Sequence, residues 1–462
     1  MNQQTRRSFF ATAASAPLLA QRKSAARPRP NVVLVLADDL PAWFLGCYGN
    51  QEVKTPNIDR LAAAGTRFLN NFVCTPICSP SRATLFTGRT PRQHGIEDFL
   101  TENPIAEPAQ GQKAPPPSFA SEIMLSDLLA GAGYRCAYVG KWHMGNDVSP
   151  GHHLSYTYTM SGGSRRYTDP EMALNGSVVK EKGYLTELMT RRALEFLDQQ
   201  SKSEPFFLTI GYLNPHTPYD GHPQKYYDMY ADCNFATFGI QPKAPNALRE
   251  AHFMDDPVPN LRRAAAAVTA LDDQIPALQR KLIERGLFDN TIFVFTGDNG
   301  YLHGRHGLWS KGHASNPINM YEEVMQVPMI WSWPGRIPTQ VVRPELVSFY
   351  DFLPTICEAT GVDAPKDRNL VGRSYFPVVA NRPLTKAERW RDLVFGQFRY
   401  TEMARDNRYK LIVRHGGKGP NELYDLRQDP RERVNQFDNQ AYVTIKQYLL
   451  KELEGWRARQ RA

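Results

Sequence analysis

Buried-strand patterns alternate along the chain with segments in which apolar residues recur at helical spacing. The first is Asn31–Ala37, a continuous apolar run typical of a strand covered on both faces. Similar runs follow at 68–73, 135–139, 205–212, 291–296 and 327–332. Helical patterns lie between them, at 55–65, 121–132, 185–199 and 264–285. This alternation predicts an α/β fold with a large mixed, mostly parallel sheet sandwiched by helices.

The pattern changes near residue 375, which we take as a domain boundary. Short strand patterns at meander spacing follow it, at 393–398, 400–405, 409–413 and 422–424. A basic amphipathic helix is predicted at 441–457. We therefore expect a large domain over 31–375 and a small C-terminal α+β domain with an antiparallel sheet over 376–462.

The first thirty residues carry most of the net positive charge of the chain. They hold six basic residues and no acidic one, which leaves 49 basic against 47 acidic residues beyond them. A body so close to neutral gives no electrostatic footprint for nucleic acid. We therefore expect no nucleic-acid partner. No apolar stretch is long enough to span a membrane, so we also expect no membrane span.

The basic N-terminus has the layout of a targeting segment. Thr5-Arg6-Arg7-Ser8-Phe9-Phe10 precedes a weakly apolar, alanine-rich stretch at 11–20, and the whole resembles a twin-arginine export signal. A disordered basic tail is the alternative interpretation. We predict that 1–30 is a signal and linker read by the twin-arginine export machinery of a bacterium, and that the protein is periplasmic or extracellular.

Oxygen-bearing side chains follow two of the predicted strands. Asp38 and Asp39 end the first strand, and Asp298 and Asn299 end the strand at 291–296. If those strands are parallel neighbours, both pairs meet at the edge of the sheet where ligands bind in this class of fold. Hard oxygen donors suit calcium or magnesium rather than zinc. The alternatives are a helix cap for the first pair and a turn for Asp-Asn-Gly.

Four basic side chains lie shortly after predicted strands. They are Lys141 and His143 in Gly-Lys-Trp-His, His216 in Asn-Pro-His-Thr-Pro, and Lys311. Fixed positive donors at such positions stabilise an anionic transition state. Taken alone, a histidine before Thr-Pro such as His216 also fits an ordinary turn residue.

One short run of residues suggests which reaction these side chains serve. Cys78-Ser79-Pro80-Ser81-Arg82 places a cysteine in a turn-like setting, with an arginine four residues on, where a helical pattern begins. It resembles the maturation signature of the type I, formylglycine-dependent sulfatases of the alkaline phosphatase-like superfamily. The other motifs run in that family's own order over residues 31 to about 335, and Asn-Glu-Leu-Tyr-Asp-Leu at 421–426 resembles its C-terminal domain.

The resemblance implies a modified nucleophile and a metal ion. A formylglycine-generating maturation enzyme would oxidise Cys78 to an aldehyde, whose hydrate would attack sulfur in line and afterwards expel sulfate. Twin-arginine export carries folded proteins, so this oxidation would precede export. One calcium ion would be held by the hydrated Cys78 product together with Asp38, Asp39, Asp298 and Asn299.

The resemblance also implies roles for the basic residues. Arg82 would orient the diol, with Ser81 as a lesser contact. Lys141 would bind the sulfate and stabilise the diol, and His143 would lie near the second hydroxyl. His216 or Lys311 would protonate or stabilise the departing oxygen.

Two rival functions remain open from the sequence. One is a phosphate mono- or diester hydrolase of the same superfamily, which usually carries threonine or serine as nucleophile and two zinc ions. The other is a sulfated-glycan binder whose Cys78 is never modified. Under the sulfatase interpretation we expect a sulfated carbohydrate substrate. Tyrosines within 214–259 either line a sugar pocket or pack that loop onto the core.

Overall fold

A ten-stranded sheet runs through the computed structural model, which describes residues 28–101, 111–160, 166–385 and 389–461. Its strands, in chain order, are β1 Asn31–Ala37, β2 Thr66–Phe72, β3 Arg135–Gly140, β4 Leu154–Met160, β5 Glu171–Leu174, β6 Ser177–Lys180, β7 Phe206–Gly211, β8 Thr291–Gly297, β9 Met329–Ser332 and β10 Val341–Ser348. Their spatial order is β10-β2-β9-β8-β1-β7-β3-β4-β5-β6. The predicted export signal lies outside the described residues except for its last three positions.

The centre of the sheet is parallel. β1 pairs in parallel with both β7 and β8, and β3 does so with β7 and β4. β9 runs antiparallel to its neighbours β2 and β8, and β4, β5 and β6 form an antiparallel meander. The sheet is therefore mixed and mostly parallel, as predicted.

Helices cover both faces of the sheet. They are α1 Pro56–Ala63, α2 Cys78–Thr87, α3 Pro91–His94, α4 Leu125–Gly131, α5 Leu185–Asp198, α6 Gln224–Asp228, α7 Pro257–Asp272, α8 Ile275–Glu284, α9 Glu322–Met325, α10 Phe352–Thr360, α11 Phe376–Val379 and α12 Val443–Arg461. Alternate residues of β1 enter two different cores, because side chains on a strand point to opposite faces. Val33 and Val35 pack with α5 and α7, whereas Val32 and Leu34 pack with α4 and α10.

Prolines explain two differences from the predicted elements. The helix predicted at 264–285 is two helices, α7 and α8. Pro276 has no N–H to bond the carbonyl of Asp272, and its ring crowds that carbonyl, so the helix breaks there. The strand predicted from residue 327 begins only at Met329, because Pro328 cannot donate to the ladder. The helix predicted at 121–132 is also shorter, starting at Leu125.

Four strands were not predicted. β5 and β6 are joined by Asn175 and Gly176, both with positive φ (47° and 84°), which is the geometry of a tight hairpin. The Asn-Gly pair was therefore an available signal. β10 contains Pro344, next to a break in its register with β2, and the proline disguises the strand pattern.

A second, four-stranded sheet follows the first. β11 Val394–Phe398, β12 Thr401–Arg405, β13 Tyr409–Arg414 and β14 Glu422–Asp425 form an antiparallel meander, and α12 packs on it. This confirms the predicted small antiparallel sheet with one packed helix, while the boundary at 375 stays a prediction. Among the described helices, none combines the length and apolar character needed to cross a bilayer.

Replacing Trp456 tests how much the stability of the four-stranded sheet depends on its packing against α12. The Trp456 ring stacks on Phe395 at 5.3 Å between centroids and is 2% exposed. Trp456→Ala should lower the free energy of unfolding of the C-terminal sheet by about 3–5 kcal/mol, measured from its urea midpoint. Tyr448→Ala removes an aromatic ring from the same helix at a position 44% exposed. That control variant should lose no more than about 0.5 kcal/mol of unfolding free energy. Equal losses in the two variants would contradict the view that burial of Trp456 stabilises the C-terminal sheet.

Candidate active site

Oxygen-bearing side chains leave the ends of two neighbouring strands. β1 and β8 pair in parallel up to their last residues, so Asp38 and Asp298 come next on each strand. The backbone N–H of Asp39 donates to Asp298 Oδ1 (3.0 Å), and Asn299 Nδ2 donates to Asp39 Oδ1 (2.8 Å). All four residues are buried. The parallel register thus brings together the two pairs that the sequence predicts to meet.

Cys78 is the first residue of α2, and its sulfur lies against this cluster. Sγ is 3.4 Å from Asp38 Oδ1, 2.9 Å from Lys311 Nζ and 3.5 Å from Lys141 Nζ. Burial raises the pKa of the Cys78 thiol to about 12, and the Asp38 charge adds to the rise. The thiol is therefore protonated at neutral pH, and in that form it is a poor nucleophile.

Arg82 lies about one turn further along α2 and is fully buried. Its Nε donates to Asp298 Oδ2 (2.8 Å), and Nη1 donates to the backbone carbonyl of Lys141 (2.5 Å). Nη2 is 3.8 Å from Asp38 Oδ1. One guanidinium therefore connects α2 to the segments that follow β1, β3 and β8.

Two lysines bring positive charge to the sulfur. Lys141, directly after β3, places Nζ 2.5 Å from Asp38 Oδ2. Lys311 forms a short ion pair with Asp39. Burial opposes the charged form of Lys311, but the neighbouring Asp39 raises its pKa well above the usual value. Lys311 is therefore a protonated donor at neutral pH.

His143 and His216 line a pocket that also contains Cys78. Nε2 of His143 is 2.9 Å from the Leu100 carbonyl, which can only accept, so the ring proton sits on Nε2. Burial lowers the pKa of His143 well below 6.5, with Lys141 as the next cause, and the ring is neutral. Its Nδ1 has no hydrogen-bond partner in the described part of the chain and can accept a proton. His216 places Nε2 3.7 Å from Asp39 Oδ2.

The cluster fits a hard divalent cation. Oxygens of Asp38, Asp39 and Asp298 lie with Cys78 Sγ within 4.8 Å of one another. Asn299 Oδ1 is buried without a hydrogen-bond partner among the described residues. Burial raises the pKa of Asp298 to about 7, with Asp38 as the next cause, and a bound cation would favour its ionised form. Oxygen donors in this number suit calcium or magnesium.

The structure therefore places the nine other predicted site residues around Cys78. It adds pocket residues that were not predicted as site residues, namely Ile77, Phe99, Arg249, Glu250, Ser310 and His313. Two of these lie within two positions of Lys311, and two lie within the loop at 214–259. Ser81 donates a short hydrogen bond to the carbonyl of Asp298 rather than contacting the sulfur.

The tyrosines of the loop at 214–259 mostly pack it onto the core. Tyr219, Tyr226 and Tyr230 are at most 3% exposed. Tyr219 Oη accepts from Trp309 Nε1 (3.2 Å), and Tyr226 Oη donates to Asp273 Oδ2 (3.0 Å). Of the two interpretations left open by the sequence, packing is the one these side chains support.

Comparison with known families accounts for nearly the whole chain. A family model described as sulfatase matches residues 30–362. A second model, described as the C-terminal part of N-sulphoglucosamine sulphohydrolase, matches residues 304–459. The first match alone covers well over half of the sequence, including every predicted site residue.

Individual relatives extend over most of the chain. The N-acetylglucosamine-6-O-sulfatase of Bacteroides thetaiotaomicron is 27% identical, with 92% of this chain and 86% of the relative covered. Human N-acetylgalactosamine-6-sulfatase is 30% identical, with 77% and 67% covered. A structure solved in complex with its substrate D-glucosamine-2-N,6-O-disulfate shares the fold, with a TM-score of 0.78, 24% identity, and 94% of this chain and 98% of that chain covered. The chain belongs to the sulfatase family and is a sulfuric ester hydrolase.

Proposed function

We propose that this sulfatase hydrolyses sulfate esters of a carbohydrate, using a formylglycine made from Cys78 and one calcium ion. The observation that carries the proposal is the position of Cys78 Sγ, within 3.5 Å of two lysine ammonium groups and of Asp38. Cys74 and Cys357, by contrast, are buried within hydrophobic clusters. Only the surroundings of Cys78 combine positive charge, carboxylates and a pocket among these three.

The side chains around Cys78 divide the work of sulfate transfer. A hydrated formylglycine supplies one hydroxyl as nucleophile and a second that releases the sulfate. Lys141 and Lys311 bind the sulfate oxygens and offset the negative charge of the transition state. Lys311, protonated and 2.9 Å from Sγ, or the neighbouring His216, provides the proton for the departing alcohol oxygen. His143 accepts a proton at its bare Nδ1.

The oxygen donors favour calcium or magnesium, and we propose calcium because the family resemblance implies it. Asp38, Asp39, Asp298 and Asn299 would hold it, and it would act as a Lewis acid toward a sulfate oxygen. Arg82 keeps Asp298 in place from the opposite side through its 2.8 Å ion pair. Among the described residues, the ligand atoms grouped with Asp38 and Cys78 include one imidazole, that of His216, whereas two zinc ions usually require several. This supports the sulfatase over the phosphohydrolase alternative.

The relatives' names suggest the class of sugar. Two are sulfatases of the 6-position of N-acetylglucosamine and N-acetylgalactosamine, and the solved neighbour holds a 6-O-sulfated glucosamine. We infer a 6-O-sulfated amino sugar, of the kind found in glycosaminoglycans, as the substrate. Maturation of Cys78 in the cytoplasm and twin-arginine export complete the proposal, together with a domain boundary near residue 375.

Replacing the modified cysteine tests the mechanism. Cys78→Ser should leave the melting temperature within a few degrees of the native value, because the two side chains have similar shapes. Hydrolysis of a 6-sulfated amino sugar should fall by about three orders of magnitude or more, because the nucleophile is lost. Cys233→Ser, at a half-buried cysteine outside the pocket, is the matched control and should keep full activity.

Mass spectrometry of the Cys78 peptide and a substrate comparison complete that test. Active native protein should show conversion of the thiol to the aldehyde, and an unmodified thiol in fully active protein would contradict the proposal. An unmodified, inactive protein that still binds sulfated sugars would favour the binder. Faster hydrolysis of a phosphate ester than of the sulfate ester of the same alcohol would favour the phosphohydrolase.

Calcium binding can be measured without turnover. Adding calcium to chelator-treated protein should raise the melting temperature, with about 2.7 kcal/mol of stabilisation at a hundred times the dissociation constant. Asp298, whose pKa is raised to about 7, must release its proton, so the apparent affinity for calcium should rise from pH 6 to pH 8. Asp39→Asn should remove most of the effect, and Asp228→Asn, an exposed position, should not. An unchanged melting temperature in the native protein would argue against the site.

A further inference from the structure

Arg249 lines the pocket that contains Cys78, yet it takes no part in the ion pairs described above. Its side chain is half-buried, and its guanidinium carbon lies 5.9 Å from the centre of the Phe99 ring. Within the described ranges, no carboxylate lies within ion-pair distance of this guanidinium. Lys141, Lys311 and Arg82 are all paired with carboxylates. Arg249 therefore differs from the other cations of the pocket in having its charge uncompensated.

The backbone on both sides of Arg249 is held in place. Leu248 N–H donates to the carbonyl of Ala314 (2.8 Å), and Ala247 forms a bridge with Ser315. On the other side, the Glu250 carboxylate accepts from Thr217 Oγ1 (2.7 Å) and from Tyr301 Oη. These contacts fix Arg249 beside the segment that carries Lys311 and His313.

The titratable groups near Arg249 leave its charge free for a ligand. Burial lowers the pKa of His313 well below 6.5, with Lys311 and Arg249 as further causes, so its ring is neutral. Glu250 is bound by hydroxyl groups, and Asp98 pairs with Arg399 at 2.6 Å. Nδ1 of His313 is also buried without a partner in the part of the chain that the structure describes.

We propose that Arg249 forms a second anion-binding subsite, which receives a carboxylate or a second sulfate carried by the same substrate as the reacting sulfate. The proposal rests on the proposed function, because it assumes that the reacting sulfate binds at Cys78. A guanidinium donates two parallel hydrogen bonds to either group, so both sources fit the same side chain. The enzyme then selects doubly anionic sugars over singly sulfated ones.

Three substrates and two variants test the subsite. N-acetylglucosamine-6-sulfate carries one anion, glucosamine-2-N,6-O-disulfate adds a sulfate, and a 6-sulfated disaccharide with an adjoining uronate adds a carboxylate. Arg249→Gln should lower kcat/KM about 10- to 100-fold for whichever doubly anionic substrate uses the subsite. The singly sulfated sugar should change less than about twofold, because it makes no contact that the variant removes. Arg249→Lys should keep part of the preference, because it keeps the charge but not the paired donors.

Lys243→Gln provides the control, since it removes one positive charge from the same loop at an exposed position outside the pocket. It should leave all three rates unchanged. A loss in Arg249→Gln that is equal for the three substrates, or no loss for any of them, would overturn the subsite alone. If the native enzyme hydrolyses 4-nitrocatechol sulfate but none of the three sugars, the carbohydrate function fails and the subsite fails with it.

Discussion

The active edge of the sheet depends on pairing three buried carboxylates with three buried cations. Asp38, Asp39 and Asp298 are at most 2% exposed, and their partners are at most 8% exposed. A charge left unpaired at such depth costs several kcal/mol, so neither set is stable there without the other. Because the partners Arg82, Lys141 and Lys311 come from α2, from the end of β3 and from the loop after β8, satisfying these charges also fixes how those elements meet. The sulfur of Cys78 lies where the two sets join.

The second sheet contributes to that arrangement from outside. Thr75 Oγ1 donates to the carbonyl of Gln397 (2.7 Å), and Gln397 N–H donates to the carbonyl of Cys74 (2.8 Å). Phe398 packs with Ile77 and Phe99 in a small hydrophobic cluster at the pocket rim. The turn that leads into α2 is therefore held by β11 on one side and by the loop after β8 on the other, where the Gly312 N–H donates to the carbonyl of Pro76 (3.1 Å). The C-terminal sheet thus supports the geometry at Cys78 without supplying a residue to the pocket.

The sequence predicted those features that depend on local patterns or on the pairing of parallel strands. Asp38 and Asp298 were found because strands of an α/β sheet end at a common edge, which requires no knowledge of the loops. The break between α7 and α8 was missed although Pro276 is visible, because the helical pattern continues across it. Arg249 and His313 carry no local signal. They meet only because the loop after β7 pairs with the loop after β8, and such loop pairings leave no periodic pattern in a sequence.

The residues that we propose for the reaction follow strand ends, whereas the residue that we propose for substrate selection, Arg249, lies on a loop. The cations expected to bind the reacting sulfate are tied to carboxylates at strand ends, so their positions are set by the sheet itself. Arg249 sits on a loop and has no such partner, so replacing it would cost the fold little. Changes in that loop can therefore alter which sugar is accepted while the chemistry at Cys78 stays the same. On our proposal, the residues that follow the strand ends carry out the reaction at Cys78, and Arg249 on the loop selects among sulfated sugars.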